Sequence, residues 1–85
     1  MDYAFTKHAW RDMRKLELDV QRRIIEKIRF YLSQKEPLHF ADKLTRDGKE
    51  YRYRIGDYRV IFDWLGSEIL IIKVKGRPDV YRHRR

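Results

Sequence analysis

The first part of the chain carries apolar residues at helical spacing. Trp10, Met13 and Leu16 recur every three residues, which places them on one face of a helix. Thr6 stands just before this pattern, and its hydroxyl can accept a free backbone N–H of the first turn. The sequence therefore predicts a helix that begins after Thr6.

A second apolar stripe follows at a spacing of four residues and predicts a second helix. Its members are Val20, Ile24, Ile28 and Leu32, with Ile25 and Tyr31 widening the stripe. Asp19 is the candidate N-cap, and Pro37 ends the pattern because proline interrupts helical hydrogen bonding. We expect an antiparallel helical pair, followed by a connection over residues 33–48 with a short helical turn near residues 40–44.

Beyond residue 50 the period of the pattern changes to two, which is the spacing of a β-strand. The apolar members of this alternation are Tyr51, Tyr53, Ile55, Tyr58, Val60, Phe62 and Trp64. Gly56-Asp57 and Gly66-Ser67 predict two turns, and residues 69–74 form an apolar strand that is covered on both sides or lies centrally. With a short first strand at residues 3–5, the order is β-α-α-β-β-β. This predicts an α+β domain whose antiparallel sheet carries a helical hairpin on one face.

Length and composition favour a single domain over residues 1–85. We divide it into a strand, helical pair and connection (1–50), antiparallel strands (51–75) and a basic tail (76–85). The chain has no cysteine, which excludes disulfides and cysteine-based zinc sites. It has no apolar run near the roughly 20 residues of a membrane span and no signal-peptide pattern. We therefore expect a cytoplasmic protein that does not bind a membrane.

The net charge of +8 is concentrated in the C-terminal part, where residues 51–85 hold nine basic and four acidic residues. Such a charge points to nucleic acid, an anionic membrane or an acidic protein as partner. Arg52, Arg54 and Arg59 alternate with the apolar positions and share the opposite face of the predicted hairpin. A two-residue turn places Arg54 opposite Arg59, which is destabilising unless an anion lies over the pair.

The other reading of these arginines is that their stems cover apolar surface. Arg77 and Tyr81 follow just beyond the last strand, and together with the three arginines they favour a phosphate site. No glycine-rich phosphate loop, metal-ligand cluster or nucleophilic serine or cysteine arrangement is present, so we expect no metal and no cofactor. RNA can be cut without them, because its own 2′-hydroxyl can attack the neighbouring phosphate, and DNA lacks that hydroxyl.

Two runs of this sequence resemble the RelE branch of the RelE/ParE toxin superfamily. They are YRYRIGDYRVIF at residues 51–62 and IKVKGRPDVYR at residues 72–82. The opening at residues 5–7, the helix at 20–28 and the connection at 37–44 also fit, so the resemblance covers nearly the whole chain. It implies a RelE/ParE-like, microbial-ribonuclease-like fold.

The resemblance also implies a function and its partners. RelE-type proteins are toxins of type II toxin–antitoxin pairs that enter the ribosomal A site and cut the messenger RNA there. They need no metal and leave a 2′,3′-cyclic phosphate. A cognate antitoxin silences them by wrapping a flexible helical segment around the toxin, and for a chain of charge +8 we expect that segment to be acidic.

Carried over by motif position, the resemblance assigns catalysis to Arg59, Arg77 and Tyr81. Tyr81 is the candidate general base on the 2′-hydroxyl, Arg59 stabilises the transition-state charge, and Arg77 holds the phosphate and assists the leaving 5′-oxygen. The expected backbone-binding residues are Arg52, Arg54, Lys73, Lys75 and Arg82. Some family members have lysines on the second strand, whereas arginine at these positions acts only electrostatically. His83 is a candidate proton shuttle, although a histidine in a basic tail is more often inert.

Two rival interpretations stay open. A ParE-like toxin has the same fold but inhibits DNA gyrase and has no ribonuclease activity. The set of Arg59, Arg77 and Tyr81 argues against it, because gyrase inhibition does not need these residues. The other rival is an RNA-binding module without catalysis, or a toxin relic, which predicts binding with a steep salt dependence and no cleavage.

Overall fold

The two apolar stripes fold as two helices in the computed structural model of the chain, which describes residues 1–76. Helix α1 spans Lys7–Arg14 and helix α2 spans Leu18–Leu32. The Thr6 hydroxyl accepts a hydrogen bond from the Ala9 N–H at 3.1 Å, which confirms the predicted cap. Neither helix, nor any other in residues 1–76, is long and apolar enough to cross a membrane.

The start of α2 differs from the prediction. Glu17 is its N-cap, and Asp19 lies inside the first turn, where a carboxylate still favours the positive end of the helix dipole. Leu16 is buried, and its carbonyl accepts a hydrogen bond from the Gln21 side chain at 2.9 Å. Because the connection is anchored in this way, α2 begins at Leu18, which is earlier than a cap at Asp19 would allow.

Five strands form the sheet, in the order β1-β5-β4-β3-β2. They are β1 (Asp2–Phe5), β2 (Asp42–Lys43), β3 (Glu50–Ile55), β4 (Tyr58–Trp64) and β5 (Glu68–Gly76). The α+β class and the order of the main elements are confirmed. The turn of helix expected near residues 40–44 is instead a 3-10 helix at Pro37–Phe40, and the short strand β2 follows it.

The sheet is mixed, whereas the sequence predicted an antiparallel one. Strands β2 to β5 pair antiparallel, but β1 lies parallel to β5 at the far edge. Hairpin turns reverse the chain between β3, β4 and β5. Strand β1 leads into the helical pair instead, so no hairpin fixes its direction and it can join β5 in parallel.

The helices cover one face of the sheet and bury the core there. The buried residues are Ala9, Met13, Leu16, Ile24, Ile28, Leu32, Tyr53, Ile55, Tyr58, Val60, Phe62, Ile69, Ile71 and Val74. The aromatic stripe of the hairpin is therefore largely core, with Tyr53 packed between Tyr31 and Phe62 at ring distances of 4.6 Å. Trp10 is half exposed, although it contacts the Phe5 ring. The opposite face of the sheet has no helix over it within residues 1–76.

The β3–β4 turn fixes the register of that open face. Ile55 pairs with Tyr58, which leaves Gly56 and Asp57 as a two-residue turn. Gly56 has a φ of +59°, as a two-residue hairpin turn with glycine in first position requires. The predicted pairing of Arg54 with Arg59 is confirmed.

Strand β5 contains an irregularity that changes which side chains face outward. Ile61 pairs with Lys73 and Phe62 pairs with Ile71, so Ile72 is an extra residue in β5. Such a β-bulge shifts the alternation by one residue. Ile71 and Val74 are consequently both buried, although they are three residues apart.

Candidate nucleic-acid interface

Three cationic side chains form a row across the open face at the hairpin end of the sheet. Arg54 pairs with Arg59, and Arg59 pairs with Lys75, on the adjacent strands β3, β4 and β5. All three are exposed. Neighbouring strands lie about 4.8 Å apart, so the three charges are close neighbours in the register. We call these residues the basic row.

A second row lies two residues further along the strands. Arg52 pairs with Ile61, and Ile61 pairs with Lys73. The bulge at Ile72 turns Lys73 outward together with Lys75. The open face therefore brings together the catalytic candidate Arg59 and the four backbone-binding candidates that lie in residues 1–76. They are Arg52, Arg54, Arg59, Lys73 and Lys75.

An acidic residue that no sequence pattern marks lies against this cluster. Asp42 on β2 is the register partner of Arg52. Its Oδ2 accepts from Nη2 of Arg52 at 3.0 Å and from Nε of Arg52 at 3.3 Å. Nε of Arg54 lies 3.3 Å from the same oxygen. Asp42 stands in the connection, where no periodicity marked it, and only the pairing of β2 with β3 brings it to the site.

A small cavity of about 260 Å³ opens at the hairpin end. It is lined by Arg54, Gly56, Asp57, Tyr58 and Arg59. Two guanidinium groups beside one concavity suit the oxygens of a phosphate, which guanidinium donors bind in a forked geometry. The cavity therefore lies beside two of the arginines for which the sequence predicted a phosphate site, and that site stays a prediction.

The far end of the same open face carries the opposite charge. Glu50 pairs with Asp63, and Asp2 pairs with Glu68. The acidic row of Glu50 and Asp63 is four residues from the basic row on each strand, or about 13 Å. A polyanion is therefore attracted to the hairpin end and repelled from the other end.

Tyr53 lies between Arg52 and Arg54 in sequence but faces the core. Its hydroxyl donates to the Pro37 carbonyl at 2.9 Å. Burial, with a smaller contribution from Tyr31, raises the pKa of Tyr53 to about 12. This phenol holds its proton firmly and is not a candidate base.

The remaining predicted residues fall into two groups. Arg77, Tyr81, Arg82 and His83 lie outside the described residues. The described part of β5 ends at Gly76, which pairs with Tyr58 at the same end of the sheet as the basic row. Within residues 1–76 no group of three or more histidines and carboxylates has the arrangement of a metal site.

Comparison with known proteins places this chain in a family. Residues 3–81 match the family described as ParE toxin of type II toxin-antitoxin system, parDE. Comparison with curated proteins gives no match.

Among solved structures, a chain of the archaeal RelE–RelB complex from Pyrococcus horikoshii OT3 is 33% identical to this chain. It has a TM-score of 0.69, and the match covers 91% of this chain and 94% of that one. A chain of the RelBE2 toxin–antitoxin complex from Mycobacterium tuberculosis is 26% identical, with a TM-score of 0.74 and coverage of 89% and 90%. A chain of the chromosomal ParDE system from P. aeruginosa is 17% identical and shows the same fold, with a TM-score of 0.68 and coverage of 89% and 95%.

The family match spans nearly the whole chain, and the solved relatives share its fold over most of their length. The chain belongs to the ParE toxin family of type II toxin–antitoxin systems, within the RelE/ParE superfamily.

Proposed function

We propose that this protein is a ribosome-dependent endoribonuclease that cuts messenger RNA in the ribosomal A site and thereby stops translation. The observation that carries the proposal is the basic row of Arg54, Arg59 and Lys75 beside a cavity of about 260 Å³. Like charges paired across a sheet are destabilising on their own. A phosphate bound over the row would offset that cost. Phosphate binding therefore explains why these cations are paired, whereas packing within the fold does not.

The proposed reaction uses the RNA's own nucleophile. The 2′-oxygen forms a bond to phosphorus while the bond to the 5′-oxygen breaks, which leaves a 2′,3′-cyclic phosphate and a 5′-hydroxyl. Tyr81 takes the 2′ proton, Arg77 stabilises the leaving 5′-oxygen, and His83 is the candidate shuttle that returns a proton to it.

Arg59 has the central electrostatic role in this proposal. It lies between Arg54 and Lys75 in the basic row. An exposed guanidinium held between two other cations is available to an anion and gains most when negative charge accumulates on the phosphate oxygens. Lys73, Lys75 and Arg82 then hold the neighbouring backbone.

We infer a cognate antitoxin as the second partner. The relative from Mycobacterium tuberculosis is a chain of a toxin–antitoxin complex, and the relative from Pyrococcus horikoshii is a chain of a RelE–RelB complex. The five cations of the open face suit an acidic wrapping segment. We expect the affinity of the purified complex to fall as salt is raised, and an affinity that ignores salt contradicts this part of the proposal.

A second candidate function is inhibition of DNA gyrase. The family match favours it, because the matched family is that of ParE toxins. It predicts loss of gyrase supercoiling and no cleavage of RNA. A non-catalytic RNA-binding toxin would instead bind RNA with a steep salt dependence and affect neither reaction.

The deciding experiment is primer extension on a defined messenger RNA in a reconstituted translation system. It compares the wild type, the Arg59→Ala/Tyr81→Phe double variant and Asp63→Asn, which changes a charge on the acidic row of the same face. We expect cleavage at A-site codons by the wild type and Asp63→Asn, and none by the double variant. No cleavage by the wild type on ribosomes shown to be active overturns the ribonuclease proposal, and a supercoiling assay then tests gyrase.

A further inference from the structure

Asp42 places a carboxylate against the cluster of cations that is proposed to bind RNA. Its Oδ2 accepts hydrogen bonds from Nη2 and Nε of Arg52, at 3.0 and 3.3 Å, and it lies 3.3 Å from Nε of Arg54. Oδ2 thus accepts two hydrogen bonds from Arg52 and forms an ion pair with Arg54. This contact needs an explanation, because a carboxylate repels the phosphates that the face is proposed to attract.

A contribution to folding stability explains little of why Asp42 contacts these arginines. The side chain of Asp42 is 41% exposed, and those of Arg52 and Arg54 are 28% and 68% exposed. Ion pairs in contact with solvent contribute little to folding, because water and salt screen them. The larger consequence of the contact is which N–H groups of each arginine stay available.

The two arginines are left in different states. Arg52 has one edge of its guanidinium, Nε and Nη2, occupied by Asp42, and it is the less exposed of the two. Arg54 is engaged through Nε alone, so both of its Nη atoms remain available to a ligand. Arg54 also lines the cavity that it shares with Arg59, whereas Arg52 does not.

We propose that Asp42 is a positioning residue of the RNA site. It holds Arg52 in place, and it fixes Arg54 so that the two terminal nitrogens of Arg54 point to the phosphate cavity. This rests on the proposed ribonuclease function. A guanidinium fixed in advance loses less freedom when the phosphate binds, and correct placement of the phosphate is what speeds the reaction.

The proposal predicts that Asp42→Asn raises the affinity for RNA and lowers the rate of cleavage. Asp42→Asn removes a negative charge near a polyanion, so it strengthens general attraction to RNA. The same change removes the ion pair with Arg54, so the phosphate is held in a less productive position. Neither simple repulsion nor a structural role produces this opposition.

The experiment measures both quantities for the wild type, Asp42→Asn, Asp42→Glu and Asp63→Asn. Affinity for a fluorescein-labelled single-stranded RNA 12-mer is followed by anisotropy over a salt series, and cleavage is followed by single-turnover primer extension on ribosomes. We expect Asp42→Asn to bind the 12-mer about twofold more tightly at low salt and to cleave roughly tenfold or more slowly. Asp42→Glu restores part of the cleavage rate. Asp63→Asn strengthens binding to a similar extent and leaves cleavage intact, because Asp63 pairs with Glu50 and not with an arginine.

Two results overturn the proposal. If Asp42→Asn cleaves as fast as the wild type or faster, the carboxylate acts only by repulsion. If it loses RNA affinity, cleavage and thermal stability together, its role is structural. Failure of the proposed function is a separate result, namely no cleavage by the wild type on active ribosomes. In that case the affinity for the RNA 12-mer is measured in a double-mutant cycle of Asp42→Asn with Arg54→Gln. The effects of the two substitutions on affinity are non-additive if Asp42 positions Arg54, and additive effects overturn the proposal.

Discussion

Lys75 lies directly opposite Arg59 on the open face of the sheet, and it reaches that position because β5 carries its one extra residue as a bulge. Ile69 and Ile71 point into the core. Continued alternation would send Lys73 and Lys75 into the core as well. The bulge leaves Ile72 out of the alternation, so Lys73 and Lys75, the third cation of the basic row, face outward.

Deleting Ile72 tests this role of the bulge. The deletion brings Lys73 directly after Ile71, so simple alternation keeps Lys73 and Lys75 on the open face and Val74 in the core. We expect the variant to retain cleavage, and we expect its free energy of unfolding, measured in urea, to change by no more than about 1 kcal/mol. Ile72→Val is the matched control, because it keeps the residue count and a β-branched side chain. A deletion variant that loses about 3 kcal/mol or more, while Ile72→Val does not, would contradict this account of the bulge.

The basic row also predicts a conflict between stability and activity. Arg59 faces a like charge on each side, and like charges directly opposite across strands are destabilising. Arg59→Gln should therefore raise the free energy of unfolding by about 0.2–1 kcal/mol while it abolishes cleavage. Thermal unfolding and the primer-extension assay measure the two effects.

Glu50→Gln provides the control for that prediction, since Glu50 faces Asp63 in the same hairpin. We expect a similar gain in stability and no loss of cleavage. If Arg59→Gln is instead less stable than the wild type, Arg59 makes a favourable contact in the free protein, and the basic row is not a strained feature.

The pairing of Arg54 with Arg59 could be predicted from the sequence, because a two-residue turn at Gly56-Asp57 fixes the register of its own hairpin. The bulge could not be predicted. Ile69 to Ile72 is an unbroken apolar run, and such a run carries no alternation from which an extra residue could be detected. The sequence named Lys73 and Lys75 as binding residues, but it gave no physical reason why they face outward.

The contact made by Asp42 and the parallel direction of β1 were not predicted, for a related reason. Each is placed by pairing with another strand and not by a local pattern of its own: Asp42 with Arg52, and β1 with β5. Strand β2 has only two residues, which is too short for a period. Local patterns specify hairpins and helices well, whereas contacts at the sheet edges depend on the assembled fold.

Tyr81 and His83 are the two candidate proton carriers of the tail, and substitution separates them. Tyr81→Phe removes the phenol oxygen, so we expect single-turnover cleavage to fall by roughly a hundredfold or more with little change in affinity for the RNA 12-mer. His83→Gln should lower cleavage if His83 returns the proton to the 5′-oxygen, and should retain most of the cleavage if His83 is inert. Wild-type cleavage by Tyr81→Phe would exclude Tyr81 as the general base.

The buried phenol of Tyr53 predicts how stability changes in alkaline solution. Its pKa is raised from 10.0 to about 12 in the folded protein, first by burial and then by Tyr31. Below pH 10 both the folded and the unfolded protein keep the phenol proton, so Tyr53 adds no pH dependence. Between pH 10 and 12 the unfolded chain releases the proton and the folded protein retains it. The free energy of unfolding then falls as pH rises, by up to about 3 kcal/mol in total.

Tyr53→Phe isolates this effect, because the other tyrosines and the lysines titrate in both proteins. The variant loses the hydrogen bond to the Pro37 carbonyl and should be about 1 kcal/mol less stable than the wild type at pH 7. Because it has no phenol at this position, its urea midpoint should fall less steeply above pH 10, and the two stability curves should converge there. Curves that stay parallel between pH 9 and 11 would mean that the folded protein ionises Tyr53 as readily as the unfolded chain does. The Tyr53 ring would then have to be reached by water, against its complete burial between the sheet and the helices.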